Sequence, residues 1–516
     1  MNSVSPGCSP AVVSLLPDQS PPSLRSAPSG INESQFNLLD AACIAFPPAA
    51  GGKLAGGLGY AGPVGALLDR ARLEPGKLAT LTLPNRRQTL VVAGALAPGA
   101  DAFTRLSLAG RMLRETRSRA PRSLALDAIG LGAAAPSMVE ALGAAALAQA
   151  FRLPDYRAPS RPETPLASVR LHCDEPLALP RLLAEARAGN LTRWLTSLPP
   201  NLLDARAYRR ALTRLAREAG ATLRWYGEKE LLRAGAGAFL AVAAGNASRD
   251  AGIAHLSWRP RARRSSRRPD LALVGKGILF DTGGNNLKSH RSMLDMHTDM
   301  AGSATALAAF LALVELRAPL AVDCWLAITE NRIGPTAYRP QDVVRAANGV
   351  TIQVIHTDAE GRMALADTLA LAARTQPALI VDFATLTGAC VTALTERISG
   401  AFTNRDELRP LLERAGRISG ERVWSFPMEP DFDADLESPC ADIMQCAVDS
   451  KGDHILAARF LNRFVPSTLP WVHVDLTSAT RTGGLGHVAT DVTGFGSRFL
   501  LEFLLGQQAL RQVTPR

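Results

Sequence analysis

Lysine is scarce in this chain. Of 57 basic residues in 516 only six are Lys, so the net charge of +10 is carried by arginine. An excess that small, spread over the whole length, fits arginine- and alanine-rich codon usage better than a nucleic-acid-binding composition. No C-x-x-C pair occurs among the seven cysteines, Cys8, Cys43, Cys173, Cys324, Cys390, Cys440 and Cys446. Their odd number and scatter exclude a zinc ribbon or disulfide framework and point to free thiols in a reducing compartment. Long apolar runs are also missing: the longest, Ala304 to Leu316, contains Glu315 and is too short to span a bilayer, so no membrane partner is expected. The start, Met1-Asn-Ser-Val-Ser-Pro, has no early positive charge and only Ala11 to Leu16 as an apolar stretch, which is unlike a secretory signal and predicts a cytoplasmic location. With 47% apolar and 20% charged residues, disordered and collagen-like classes drop out as well. The length allows two to four domains.

What is present is an α/β pattern. Residues 1–34 are rich in Ser, Pro and Gly and read as a flexible tail. From 35 to 180, β-rich runs at 78–83 and 89–93 mix with Ala-rich helical segments near 103–117 and 136–151, predicting a smaller N-terminal α/β domain. A Pro- and Arg-bearing stretch, 153–165, and a helical pattern over 178–196 place the boundary near 180. From 181 to 516, apolar runs at 271–274, 320–325, 351–355 and 378–383 alternate with helical patterns at 302–316 and 362–374. That alternation predicts a larger C-terminal α/β domain with a central mixed sheet covered by helices, its ligand site at the carboxyl ends of the strands.

Two clusters carry chemistry. The first is Val274-Gly-Lys-Gly-Ile-Leu-Phe-Asp-Thr-Gly-Gly-Asn-Asn-Leu-Lys288, followed by Met293-Leu-Asp-Met-His-Thr-Asp-Met300. It sets Lys276, Asp281, Lys288 and Asp299 in and after a glycine-rich loop that leaves a strand. The second is His356-Thr-Asp-Ala-Glu-Gly-Arg362, where Asp358, Glu360 and Arg362 alternate as they would along an extended segment. Three Asp and one Glu crowded into strand-end loops would repel one another unless positive charge lay between them. Oxygen ligands with an amine, and no convergent Cys or His set, suit Mn²⁺, Mg²⁺ or Zn²⁺, and carboxylates enough for bridging suggest two ions about 3.5–4 Å apart. A lysine ligates only when neutral, which an adjacent dication favours.

Both clusters resemble the signatures of the leucyl (cytosol) aminopeptidase family of dimetal metallopeptidases. Residues 274–288 match V-G-K-G-x-x-F-D-S/T-G-G-x-x-x-K, and 356–362 match N-T-D-A-E-G-R with His356 in place of Asn. Similarity continues through 190–201, 239–245, 337–340, 384–389 and 493–496 and so covers roughly 180–505. The resemblance implies a two-metal exopeptidase that removes N-terminal amino acids from peptides. It makes Asp281 and Glu360 bridging ligands, adds Lys276 and Asp299 at one site and Asp358 at the other, and makes Lys288 and Arg362 catalytic groups. Lys288 would stabilise the tetrahedral oxyanion, and Arg362 would hold a bicarbonate that serves as general base. Met296, Thr385 and Leu386 would bind substrate. The metals would be Mn²⁺ or Zn²⁺, with Mg²⁺ also compatible, and the assembly a homohexamer.

This sequence departs from the family pattern at Asn285, Asn286, His297, His356 and at Gly452-Asp-His-Ile-Leu-Ala-Ala458, so altered specificity is expected. A separate reading rests on Arg259-Pro-Arg-Ala-Arg-Arg-Ser-Ser-Arg-Arg268, six arginines in ten residues that could grip DNA phosphates, with peptidase activity secondary or absent. No aromatic interleaving accompanies that loop. A metal-dependent phosphatase would account for the carboxylates but not for Lys276 and Lys288 together.

Overall fold

The computed structural model describes residues 14–157, 165–263, 266–449 and 451–513. Residues 1–13 of the expected tail, and Arg264 and Ser265 of the arginine loop, lie outside them. Six strands form the first sheet: β1 (Ser23–Ala27), β2 (Ala41–Phe46), β3 (Leu78–Thr82), β4 (Leu90–Ala95), β5 (Ser123–Ala128) and β6 (Ser168–His172), ordered β1-β6-β5-β2-β4-β3. Along β2, Ala41, Cys43 and Ala45 enter one apolar cluster while Ala42, Ile44 and Phe46 enter another. The two-residue period of a strand therefore buries both faces of this sheet.

The expected tail is corrected here. Residues 23–27 pair in parallel with β6 as an edge strand, and Leu16 is buried against the C-terminal core, where Trp194 donates its indole N–H to the Leu15 carbonyl at 3.2 Å. Ser and Pro content hid this strand, because an edge strand needs only one paired side and tolerates prolines beside it.

Eleven further strands follow: β7 (Thr222–Tyr226), β8 (Gly252–Trp258), β9 (Leu271–Asp281), β10 (Val322–Asn331), β11 (Val343–Arg345), β12 (Thr351–Gln353), β13 (Leu379–Ala384), β14 (Ser399–Thr403), β15 (Val423–Ser425), β16 (Ile443–Met444) and β17 (Trp471–Asp475). Eight of them build a mixed sheet ordered β15-β14-β17-β13-β9-β10-β8-β7, whose four middle strands are mutually parallel. The run at 351–355 departs from expectation. Its strand β12 pairs with β11 and β16 in a separate three-stranded sheet and not with the main one.

Leu271 and Leu273 of β9 face one core, Ala272 and Val274 the other. Helix Ala301–Glu315, apolar all round, lies against β9 on the first side beside Leu179–Thr196, and helix Glu360–Ala373 covers the second. A helix buried all round belongs inside a large core. The segment His290–Glu315 is long and apolar enough in composition to cross a membrane, but most of it is packed inside the protein. The helix Ala205–Glu218 shows the contrasting surface type: Asp204 caps it by accepting the Ala207 N–H at 2.6 Å, and Tyr208, Ala211 and Leu212 form its buried stripe. The six described cysteines are all free.

Candidate metal centre and peptide cleft

Parallel β9, β10, β13 and β17 end side by side, and their last residues or the loops just beyond carry Asp281, Asn331, Thr385 and Asp475. A parallel sheet leaves a crevice at its carboxyl ends, where loops converge. Here the crevice is a cavity of about 740 Å³. All ten residues singled out in the sequence line it: Lys276, Asp281, Lys288, Met296, Asp299, Asp358, Glu360, Arg362, Thr385 and Leu386.

Asp281, Asp358 and Glu360 each present an oxygen within 4.8 Å of the other two. Asp281 is oriented by the Gly283 N–H and the Asn331 side-chain amide, both 2.8 Å from its Oδ1. Asp299 Oδ1 accepts from the Thr385 hydroxyl at 2.7 Å. In the chain alone, the positive charge among these carboxylates comes from two ammonium groups. Lys276 Nζ lies 2.8 Å from Asp299 and 3.0 Å from Glu360, and Lys288 Nζ lies 2.9 Å from Asp281 and 2.5 Å from Asp358. Burial pushes the pKa of Lys276 down, but Asp299, Glu360 and Asp281 outweigh it and the net shift is upward. Lys288 behaves alike, with burial opposed by Asp281 and Asp358. Burial raises Asp299 more than Lys276 lowers it, and Glu360 and Asp281 add to the rise.

The donor set fits divalent metal ions. Asp299 Oδ2 and Glu360 Oε2 are buried and accept no hydrogen bond among the described residues, a costly state for carboxylate oxygens unless a cation meets them. Oxygen donors plus an amine are what hard and borderline dications take.

Several features were not legible in the motifs. Residues 356–359 form a turn and the helix Glu360–Ala373 begins at Glu360, so Asp358, Glu360 and Arg362 do not alternate along an extended segment as expected. Glu360 instead sits in the first helical turn, where the free N–H groups favour a carboxylate. Gly361 is required by close approach: a Cβ there would lie 2.5 Å from Lys276 Cε and 2.6 Å from its Nζ. Gly283 and Gly284 take φ of +85° and +62°, a left-handed turn that glycine makes without strain.

The two asparagines that depart from the family pattern serve as clips. Asn286 Oδ1 accepts the Thr357 N–H at 2.8 Å while its own N–H donates to Thr357 Oγ1 at 2.8 Å, joining the two signature loops. Asn285 donates to the Tyr338 carbonyl at 2.7 Å. The Asp358 N–H donates to His356 Nδ1 at 3.2 Å, a local role. Sequence reasoning missed Asn331 altogether, and no nearby signal marks it, since it enters the site only through the pairing of β10 with β9.

Arg362 is paired internally. Its Nη2 donates to both oxygens of Asp453 at 2.8 Å each, and its Nη1 donates to the Gln445 carbonyl at 3.3 Å. The described residues of the arginine loop, 259–263 and 266–268, do not line this cavity. Arg259 is spent on Asp323, 2.8 Å away, and on the Trp258 and Val322 carbonyls, while Arg263 pairs with Asp270.

Comparison with known proteins bears on this arrangement. A family model described as "Cytosol aminopeptidase family, catalytic domain" matches residues 190–501. A probable cytosol aminopeptidase of Synechococcus sp. (strain JA-3-3Ab) is 35% identical over 454 residues, covering 84% of this chain and 87% of the relative. Another, from Syntrophotalea carbinolica, is 40% identical over 61% of this chain and 62% of its own length. Among solved structures, the bottromycin maturation enzyme BotP in complex with Mn superposes with a TM-score of 0.79 at 32% identity, covering 91% of this chain and 99% of that one. A mutant tomato leucine aminopeptidase gives 0.82 at 25% identity, covering 95% and 98%.

Proposed function

Because the chain belongs to the cytosol aminopeptidase family and is a metal-dependent aminopeptidase, we propose specific roles for its residues in releasing N-terminal amino acids from peptides. The observation that carries the reading is the convergence, in one cavity, of four carboxylates, two lysines and the 385–386 wall. Asp281 and Glu360 would bridge two metal ions, with Lys276 and Asp299 completing one site and Asp358 the other. Lys276 would ligate as the neutral amine, giving up the proton that its carboxylate neighbours now hold in place. When bound, the ions supply Lewis acidity and an ionisable water near neutral pH. Mn²⁺ is the favoured occupant, since a relative of this fold is described with Mn, and Zn²⁺ or Mg²⁺ are the alternatives.

Lys288 reaches Asp281 and Asp358 from the cavity side and, as an ammonium, is positioned to stabilise the oxyanion that develops on the scissile carbonyl. Met296 and Leu386 offer apolar surface for the first side chain, and Thr385 supports Asp299 while its carbonyl holds Lys276 at 2.9 Å. The protein acts in the cytoplasm, as its relatives' names suggest, and as a homohexamer. Leu287, Leu294 and Ile333 are large apolar side chains left exposed, of a kind that burial between copies would cover. Nucleic-acid binding by the 259–268 loop has weaker support, since Arg259 and Arg263 are already paired.

The test is hydrolysis of a panel of aminoacyl p-nitroanilides and dipeptides by metal-stripped protein, with Mn²⁺, Zn²⁺, Mg²⁺ or nothing added back. Metal-restored release of the first residue is expected. Silence across the panel with metal bound would remove the reading.

A further inference from the structure

The carboxylates facing the cleft fall into distinct kinds. Asp281, Asp299, Asp358 and Glu360 each pair with Lys276 or Lys288. Asp475 is buried and satisfied by the Leu386 N–H at 3.0 Å and the Thr387 hydroxyl at 2.6 Å. Glu396 stands on the exposed rim. Among the described residues Asp453 is the cavity-lining carboxylate that has no metal role and is held by an arginine: its side chain is 21% exposed, while the Arg362 side chain that grips both of its oxygens is 3% exposed. Arg362 lies two residues beyond Glu360 in the same helix, so this carboxylate is tied to the cluster through a rigid element.

We infer that Asp453 is the proton acceptor for the attacking water, an inference that rests on the peptidase reading above. The water oxygen bonds to the scissile carbonyl carbon as one of its protons passes to the Asp453 carboxylate. When the tetrahedral species collapses, the C–N bond breaks with its electron pair going to nitrogen, and the proton on Asp453 moves to that nitrogen. Amino acid and shortened peptide leave, and the carboxylate is regenerated. The bicarbonate expected at Arg362 has little left to hold it. Both Nη2 protons are committed to Asp453 and one Nη1 proton to Gln445, leaving the second Nη1 proton and Nε, which is buried and without a partner among the described residues. An internal carboxylate stands in the seat of a free oxyanion, already positioned and independent of its concentration in solution.

The experiment compares metal-loaded wild type, D453A and D453N by hydrolysis of an aminoacyl p-nitroanilide in CO₂-free buffer, with and without added bicarbonate or formate. Binding of ¹³C-bicarbonate is followed in parallel by NMR. Wild-type rates should not respond to bicarbonate, and the protein should show no bound signal. D453A should lose about a hundredfold or more in kcat, the usual contribution of a general base, regain part of it with bicarbonate or formate, and show bound bicarbonate. D453N, which keeps the size of the side chain, should lose kcat with little change in KM and lose the acid limb of the pH–rate profile. It also serves should D453A fail to fold. Bicarbonate binding to wild type, or D453N with undiminished kcat, overturns the inference. Inactivity of wild type with every metal would instead count against the peptidase reading, and the NMR result would still decide what fills the arginine's seat.

Discussion

Replacing Asn286 with Ala tests how the two signature loops are held in register. Asn286 Oδ1 accepts the N–H of Thr357, and Thr357 is fully buried one residue before Asp358. Removing that acceptor strands a buried N–H, which costs about 1–3 kcal/mol. If the loss falls on the geometry that presents Asp358 to the metal, the affinity drops about 5- to 150-fold, since 1.4 kcal/mol is about tenfold. Mutations around a metal site that orient its ligands have effects of that size. The backbone N–H of Asn286 still reaches Thr357 Oγ1 at 2.8 Å, so the loops should weaken their contact without separating. The assay is calorimetric titration of Mn²⁺ into metal-stripped N286A and wild type, alongside melting of both metal-free proteins. A folded N286A that binds Mn²⁺ within twofold of wild type would refute the claim that this clip positions Asp358.

Other expectations follow from the same geometry. K288A should bind Mn²⁺ nearly as wild type but lose about 10²- to 10³-fold in kcat, whereas D281N should lose metal in the same titration; equal behaviour of the two would undo their separate roles. G361A should melt below wild type in the metal-free protein and bind Mn²⁺ about tenfold or more weakly, because the added Cβ pushes the Lys276 amine off Asp299, Glu360 and the Thr385 carbonyl; melting and affinity both equal to wild type would contradict the close approach. Asp367 supplies a pH test: burial pushes its carboxyl up to about 7, against the Phe239 and Ala347 N–H groups that pull it down. Its folded pKa lies above the ordinary value near 3.9, so the stability it contributes is full below about pH 3.9 and is lost as pH rises through about 7. Chemical denaturation from pH 4.5 to 7.5 should show wild type losing ground to D367N, and a constant difference between them would contradict the shift.

Much of the site was legible because its residues belong to two continuous stretches. Lys276, Asp281 and Lys288 follow one strand into its loop, and Asp358, Glu360 and Arg362 straddle one turn and one helix start. Local spacing there reflects local geometry, so residue types suggest the chemistry before any fold is known. Element types were legible for the same reason: Leu179–Thr196, Ala301–Glu315 and Leu379–Ala384 lie within a few residues of their expected positions. The helix start at Glu360 was misread because a two-residue alternation of charges looks extended until the turn before it is known.

The sequence by itself determined which side chains carry the chemistry and that α and β segments alternate, since both are encoded over distances of a few residues. Tertiary structure alone decided which distant residues complete the site. Asn331 meets Asp281 only because β10 lies parallel to β9, and Asp453 meets Arg362 across 91 positions. It also decided that residues 23–27 close the edge of the first sheet and that β12 leaves the main one. Strand partners and buried ion pairs depend on which surfaces the whole chain can cover at once, and no short window of sequence contains that information.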